Sequence, residues 1–160
     1  MAVKKTKIDP STQINLQGFI DSQSKVNIGI LSSGPHEGGG IDILTLAAVH
    51  EFGSQSRNIP ERSFLRKTQA NFQREFLAFV SQNRTAIGQE ILTKGVNHVL
   101  NKFGAWWVAK VNDTFEMQGP NWQELSEDYY ERKAKKYPDP KILMSTGALR
   151  RSVTHEVADE

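Results

Sequence analysis

ILTKGVNHVLNKFGAWWVAKV, at 91–111, is the stretch that decides the fold. Ile91, Leu92, Val96, Val99, Leu100, Phe103, Trp107 and Val111 recur in it at helical spacing and make a broad apolar stripe, so a helix is expected from about 85 to 117. Gly88, Gly95 and Gly104 lie inside that run, each costing about 0.5–1 kcal/mol against alanine, and are expected at close helix contacts or bends. Gly119 and Pro120 end it. Trp106 and Trp107 are neighbours, hence about 100° apart around the helix. One is expected in the core, the other under a loop or at a subunit interface; Trp107 belongs to the stripe, and Trp106 is the interface candidate.

Upstream, Pro60 suits the first turn of a helix running to about 82, with Leu65, Phe72, Phe76, Phe79 and Val80 as its apolar residues. ILTLAAVHEF at 43–52 reads as a short helix closed by Gly53, with polar loops at 32–40 (SSGPHEGGG) and 54–59 on either side. KVNIGIL at 25–31 alternates with the period of a half-buried strand, and Gly29 within it suggests close approach of another backbone. Downstream, Ser126 can cap a helix with Glu127 and Asp128 in its first turn and Arg132, Lys133, Lys135 and Lys136 towards its end. A stiff turn follows at 137–140, then a helical turn at 146–152, and SVTHEVA at 152–158 alternates again and should pair with 25–31. The expected fold is α+β: a small, mostly antiparallel sheet packed with one or two long helices and long flexible loops. Residues 1–24 are expected to form an N-terminal arm with a short helix, capped by Ser11, and 25–160 a single domain.

Composition narrows the function. In 160 residues, 20 basic and 18 acidic side chains leave a net charge of +2, too balanced to indicate a nucleic-acid binder by charge alone. Cysteine is absent, which removes disulfides, thiolate metal sites and cysteine nucleophiles and fits folding in a reducing cytoplasm. No apolar run approaches the ~20 residues that span a bilayer. Lys4, Lys5 and Lys7 precede no apolar stretch, so the N-terminus reads as a soluble arm or one reaching onto a neighbour or DNA, and not as a signal peptide.

No reactive constellation emerges. His50-Glu51 lacks the second histidine of a zinc-binding helix, His36 lies in a mobile loop, and His98 reads as a structural residue of the long helix and His155 as exposed on an edge strand. The four glycines of the 32–40 loop are not followed by the Lys-Ser/Thr pair of a phosphate-binding loop. Ser145 and Ser152 stand in no nucleophile elbow, and Glu124, Glu127, Asp128 and Glu131 form a solvated face. The basic run 132–136, interleaved with Tyr129, Tyr130 and Tyr137, is read as a solvated face or a subunit contact, with DNA contact as the alternative. Neither a cofactor nor a metal is expected.

Two stretches resemble known families. LAAVHEFG at 46–53 with IPERSFLRKT at 59–68 resembles the A-x-x-x-E-F-G … I-P-x-R-P-F-L-R signature of phage head–tail connector and tail-completion proteins, through Glu51, Phe52, Gly53, Pro60, Arg62, Phe64 and Leu65. WQELSEDYYERK at 122–133 with KILMSTGALRRSV at 141–153 is similar to the signature of virion-morphogenesis proteins of contractile-tailed phages, through Trp122, Leu125, Lys133, Thr146, Gly147, Leu149, Arg150 and Ser152. Ser63 stands where proline is usual, and Ser145 where an acid is common. In physical terms, Phe52 is expected to dock into the core and Gly53 to make the turn, while Arg62 and Arg66 pair with Glu51 and Thr146-Gly147 starts a helical turn.

The resemblance implies a structural virion protein and no enzyme: a tail-completion or neck subunit, or else a minor tail or tail-terminator protein. It implies a ring, commonly hexameric, at the head–tail junction. Portal or head-completion proteins would lie above it and tail-tube or terminator proteins below, with genomic DNA passing through and no membrane partner. The location implied is the virion, and the host cytoplasm during assembly. Candidate interface residues are Gly34, His36, Gly38, Gly39 and Gly40 in one loop, Ser54, Arg57 and Asn58 in the next, and Trp106. Removing residues 34–40 is expected to spare the fold and block head–tail joining. A nucleic-acid-binding module using the lysines at 4–7 and the basic run at 132–136 is the remaining alternative.

Overall fold

Lys25–Gly29 (β1) and Thr154–Ala158 (β2) pair antiparallel, with Lys25 opposite Ala158 and Gly29 opposite Thr154. The pairing expected from the two alternating segments is thus present in this computed structural model, which describes residues 24–35, 40–119 and 121–158. The expected N-terminal arm and its short helix, and His36, Gly38 and Gly39, lie outside the described residues. β1 ends at Gly29 and not at residue 31, because its partner begins only at Thr154. A Cβ on Gly29 would meet only the Leu65 side chain, at 3.8 Å, so the close backbone approach inferred there is absent.

Six helices accompany this sheet among the described residues: Ile43–Phe52 (α1), Leu65–Gln82 (α2), Arg84–Lys94 (α3), Val96–Glu116 (α4), Glu127–Ala134 (α5) and Ala148–Arg151 (α6). The chain is therefore mixed helix and sheet. α1 has the span its pattern predicts. The Asp42 carboxylate caps it by accepting from Leu44 N at 2.8 Å, and Gly53, at φ 74°, closes it. The 54–59 segment is more ordered than a loop, since Gln55–Arg57 forms a 3₁₀ turn held between Ser54 and Ile59, whose backbones bond both ways.

The helix expected from 85 to 117 is two helices. Gly95, at φ 86°, breaks the ladder between α3 and α4, a conformation that L side chains rarely adopt. Of the other two glycines, Gly104 is buried where α4 crosses β2, and the His155 ring lies against it. Gly88 faces open space. It therefore serves neither contact nor bend, and Gly88→Ala should raise stability by about 0.5–1 kcal/mol from helix propensity. An unchanged or lower melting temperature would contradict this.

α2 and α4 pack through an aromatic cluster. Phe76 has ring centroids 5.2 Å from Phe103, 5.2 Å from Trp106 and 5.3 Å from Trp107. Both tryptophans are half-buried, so the fully buried core place expected for one of the pair is not found. Each meets Phe76 at a tilt, and the two indole rings meet edge-on at 5.0 Å. His98 is exposed on α4 and His155 half-buried against Gly104, the reverse of their expected places.

The main core lies at the other end of α4. Phe64, Val111, Phe115, Trp122, Leu149 and Val153 are buried there together with Ile43 and Ala47 of α1. Phe64 and Phe115 stand 5.1 Å apart and are fully enclosed, each contributing about 1.5–3 kcal/mol by leaving water. Beneath them the Thr68 and Thr114 hydroxyls bond across α2 and α4 at 2.6 Å, with Thr68 Oγ1 also donating to Phe64 O.

Candidate functional site

The most heavily bonded side chain among the described residues is Glu51, at the end of α1 and only 5 % exposed. Its carboxylate accepts from the Ser63 hydroxyl (2.6 Å), from the backbone N–H of Phe64 (2.8 Å), Leu65 (3.0 Å) and Arg66 (3.0 Å), and from Arg66 Nε (3.1 Å). These are the orphan donors at the start of α2, a helix that has no cap from its own first residue. Burial by itself would push this carboxyl up. The bonds from Leu65, Ser63, Arg66 and Phe64 outweigh burial and hold it below its ordinary range.

Three expectations change as a result. α2 starts at Leu65 and not near Pro60, because the cap comes from Glu51 across the turn and residues 60–63 stay outside the helix. Phe52 is 66 % exposed, with the Arg66 guanidinium 4.7 Å over its ring, so the acid and the aromatic have exchanged the places expected of them. Arg62 precedes the helix and does not pair with Glu51. Ser63, set apart as the departure from proline, supplies a donor that proline lacks.

Arg62 instead binds the second motif. Its Nε donates to Gln123 O at 2.9 Å and Nη2 to Glu124 O at 3.2 Å, while the Trp122 indole N–H donates back to Ser63 O at 2.9 Å. Segments some 60 residues apart in sequence thus clamp each other through three bonds to backbone carbonyls. Trp122→Phe keeps an aromatic ring, though a smaller one, and orphans the Ser63 carbonyl, so it should cost at least about 1–3 kcal/mol in denaturant unfolding. A cost near zero would show that the indole bond is dispensable.

On the outer side of this clamp lies a cleft of about 790 Å³. The turn after α1 contributes Ser54, Arg57 and Asn58; α5 and its lead contribute Leu125, Arg132 and Lys133; the last motif contributes Thr146, Gly147 and Leu149. Lys133 donates to Lys141 O, which ties α5 to the following loop. Burial, with the Arg62 charge nearby, pushes the Lys133 ammonium down, and burial likewise lowers Arg62. The basic run at 132–136 therefore divides: Arg132 and Lys133 face the cleft, whereas Lys135 and Lys136 are exposed away from it.

The remaining candidate residues are placed as follows. Glu51, Phe64, Leu65 and Trp122 form or adjoin the core; Pro60, Arg62, Leu125, Lys133, Thr146, Gly147 and Leu149 line the cleft. Gly53 is tightly enclosed, since a Cβ there would lie 2.9 Å from Glu61 N. Thr146 Oγ1 accepts from Ala148 N at 3.2 Å at the start of α6, and Ser152 Oγ donates to Ala148 O at its end. Arg150 bonds Asn112 at 3.1 Å and pairs with Glu116 on α4, holding that carboxyl low. Gly34 and Gly40 lie near Asp42, away from the cleft, and Gly34 N donates to Asp42 Oδ2 at 2.9 Å. Removing residues 34–40 would therefore also remove the bonds that Gly34 makes with Asp42 and Ile43 at the start of α1. Trp106 belongs to the aromatic cluster and not to the cleft.

Asp42, Ser63, Thr68 and Thr114 were missed as structural residues, and only Asp42, a capping residue type ahead of an apolar run, carried a local signal. Among the described residues no group of three or more His, Asp or Glu side chains is placed to hold a metal ion, and no helix is long and apolar enough to cross a membrane. Comparison of the chain with protein-family models, with curated proteins and with solved structures found no match.

Proposed function

We propose that this chain is a structural virion protein of a tailed bacteriophage, a tail-completion or neck subunit that forms a ring at the head–tail junction. The observation that carries this reading is the mutual clamp between the two motif segments, in which Arg62 and Trp122 each bond the other segment's backbone. Motifs that resemble those of neck and virion-morphogenesis proteins thus act here on each other, and their polar side chains are spent on helix ends and carbonyl oxygens. Glu51 is committed to five donors and Arg62 to two carbonyls, which suits a role in holding shape better than one in turnover.

Support also comes from the cleft, where the candidate interface residues Ser54, Arg57 and Asn58 share one surface with Thr146–Leu149 of the second motif. A ring needs a heterologous contact, one surface of each subunit meeting a different surface of the next. The deciding experiment is a phage lacking the gene: DNA-filled heads and separate tails are expected in the lysate. Normally joined, infectious particles would overturn the proposal, as would turnover of a substrate by the isolated protein.

A further inference from the structure

Arg62 and Lys133 are 8 % and 7 % exposed, and among the described residues no carboxylate lies within 4.0 Å of either charge. Both line the same cleft, and the exposed Arg57 and Arg132 stand on its walls. Buried cations are ordinarily matched by an acid, because removing a charge from water costs more than bonds to neutral carbonyls return. Here the only acid on the wall is Glu124, an exposed residue that forms no ion pair among the described residues. Donors remain as well: Arg62 uses Nε and Nη2 on carbonyls, leaving Nη1, and Lys133 uses one of its three N–H groups.

We propose that this cleft is a binding site for an acidic peptide segment of a docking partner, with a Glu or Asp carboxylate of that segment seated between Arg62 and Lys133. The depth of the two cations favours a carboxylate on a side chain over a nucleic-acid phosphate. Duplex phosphates lie on the outside of a wide rod and reach exposed cations such as Arg132, whereas a glutamate carries its charge inward on a flexible stem. The walls agree, because Leu46, Ile59 and Leu125 offer apolar contact to residues flanking the acid, and about 790 Å³ matches the size of cavities that take short ligands. The site stands on the cleft alone, whether or not the protein belongs to a virion.

The test is fluorescence anisotropy of labelled hexaglutamate titrated with the full chain, beside hexaserine and a short DNA duplex at the same salt. Hexaglutamate is expected to bind, and to bind at least about tenfold more weakly to Arg57→Ser/Arg132→Ser, since charge-assisted bonds to carboxylates have that strength. These two arginines are exposed, so the variant should fold, as circular dichroism would verify. Lys133→Met probes the deep position and should weaken binding by a similar factor; should it fail to fold, the arginine pair decides. Lys135→Ser/Lys136→Ser removes equal charge outside the cleft and should change binding less than about twofold. No binding of hexaglutamate, equal losses in the cleft and control variants, or tighter binding of the duplex that the cleft variants abolish would each overturn the proposal.

Discussion

Replacing Glu51 with alanine is expected to destabilise the protein by about 3–5 kcal/mol, the range found when one partner of a buried charged network is removed. The loss is large because one carboxylate serves five donors. Truncation would leave the first N–H groups of α2 and the Ser63 hydroxyl without their acceptor, next to the fully enclosed Phe64, while of its two acids the Arg66 guanidinium would keep only Glu61, at 3.2 Å. For a chain of this size the melting temperature should fall by roughly 10 °C or more. Glu51→Gln keeps the volume and one acceptor oxygen but not the charge, and should fall in between. A loss under about 1 kcal/mol for the alanine variant in urea unfolding would show that α2 starts without this cap.

The same carboxylate makes stability depend on acid in a defined direction. Its pKa in the folded protein lies below the ordinary 4.5. A group depressed on folding contributes fully above its unfolded value and loses that contribution as pH falls through the folded one. Stability attributable to Glu51 should thus be intact above about pH 4.5 and decline below it, and the gap between wild type and Glu51→Gln should narrow over that window. A gap independent of pH down to the acid transition would be inconsistent with this.

The second large effect is expected at Gly104. A Cβ there would lie 2.9 Å from Cβ of His155 and closer still to its imidazole ring, so alanine forces β2 away from α4. Overpacking of this kind costs about 1–3 kcal/mol beyond the propensity gain that alanine brings to a helix. The expected net result is destabilisation, opposite in sign to Gly88→Ala on α3. His155→Ala removes the imidazole but keeps its own Cβ at 2.9 Å, so it should restore part of the loss, and a double-mutant cycle should give a favourable coupling of about 1 kcal/mol or more. Additive effects of the two changes would mean that the ring and the glycine do not constrain each other.

These two sites mark where local reading succeeds and where it stops. α1 was legible to the residue because its signals lie side by side, an apolar run ended by Gly53. The pairing of β1 with β2 followed from two alternating segments, and the end of α2 at Gln82 from its apolar period. The start of α2 was not legible, since its cap arrives from Glu51, a residue that lies 13 positions before Phe64. Nor was the exchange of Glu51 and Phe52: apolar-inside is a sound default, and it fails where a buried acid meets enough donors to outweigh its desolvation. Gly88, Gly95 and Gly104 look alike in sequence yet serve as nothing visible, a break and a contact, because a glycine's role depends on what faces it.

The cleft belongs wholly to the second category. Arg57, Arg62, Arg132 and Lys133 come from distant segments, and their shared surface exists only once Arg62 has bonded the carbonyls of Gln123 and Glu124. What the amino-acid order determined alone was the set of short-range choices: which stretches are helical or extended, where Gly53 turns the chain, and which aromatic residues are available for a core. What tertiary structure decided was the borrowed cap of α2, the clamp between Arg62 and the carbonyls of Gln123 and Glu124, and the buried cations brought together without a paired acid. The physical reason is range. Backbone preference and side-chain periodicity act within a few residues, whereas burial and charge act through whatever the folded chain places nearby.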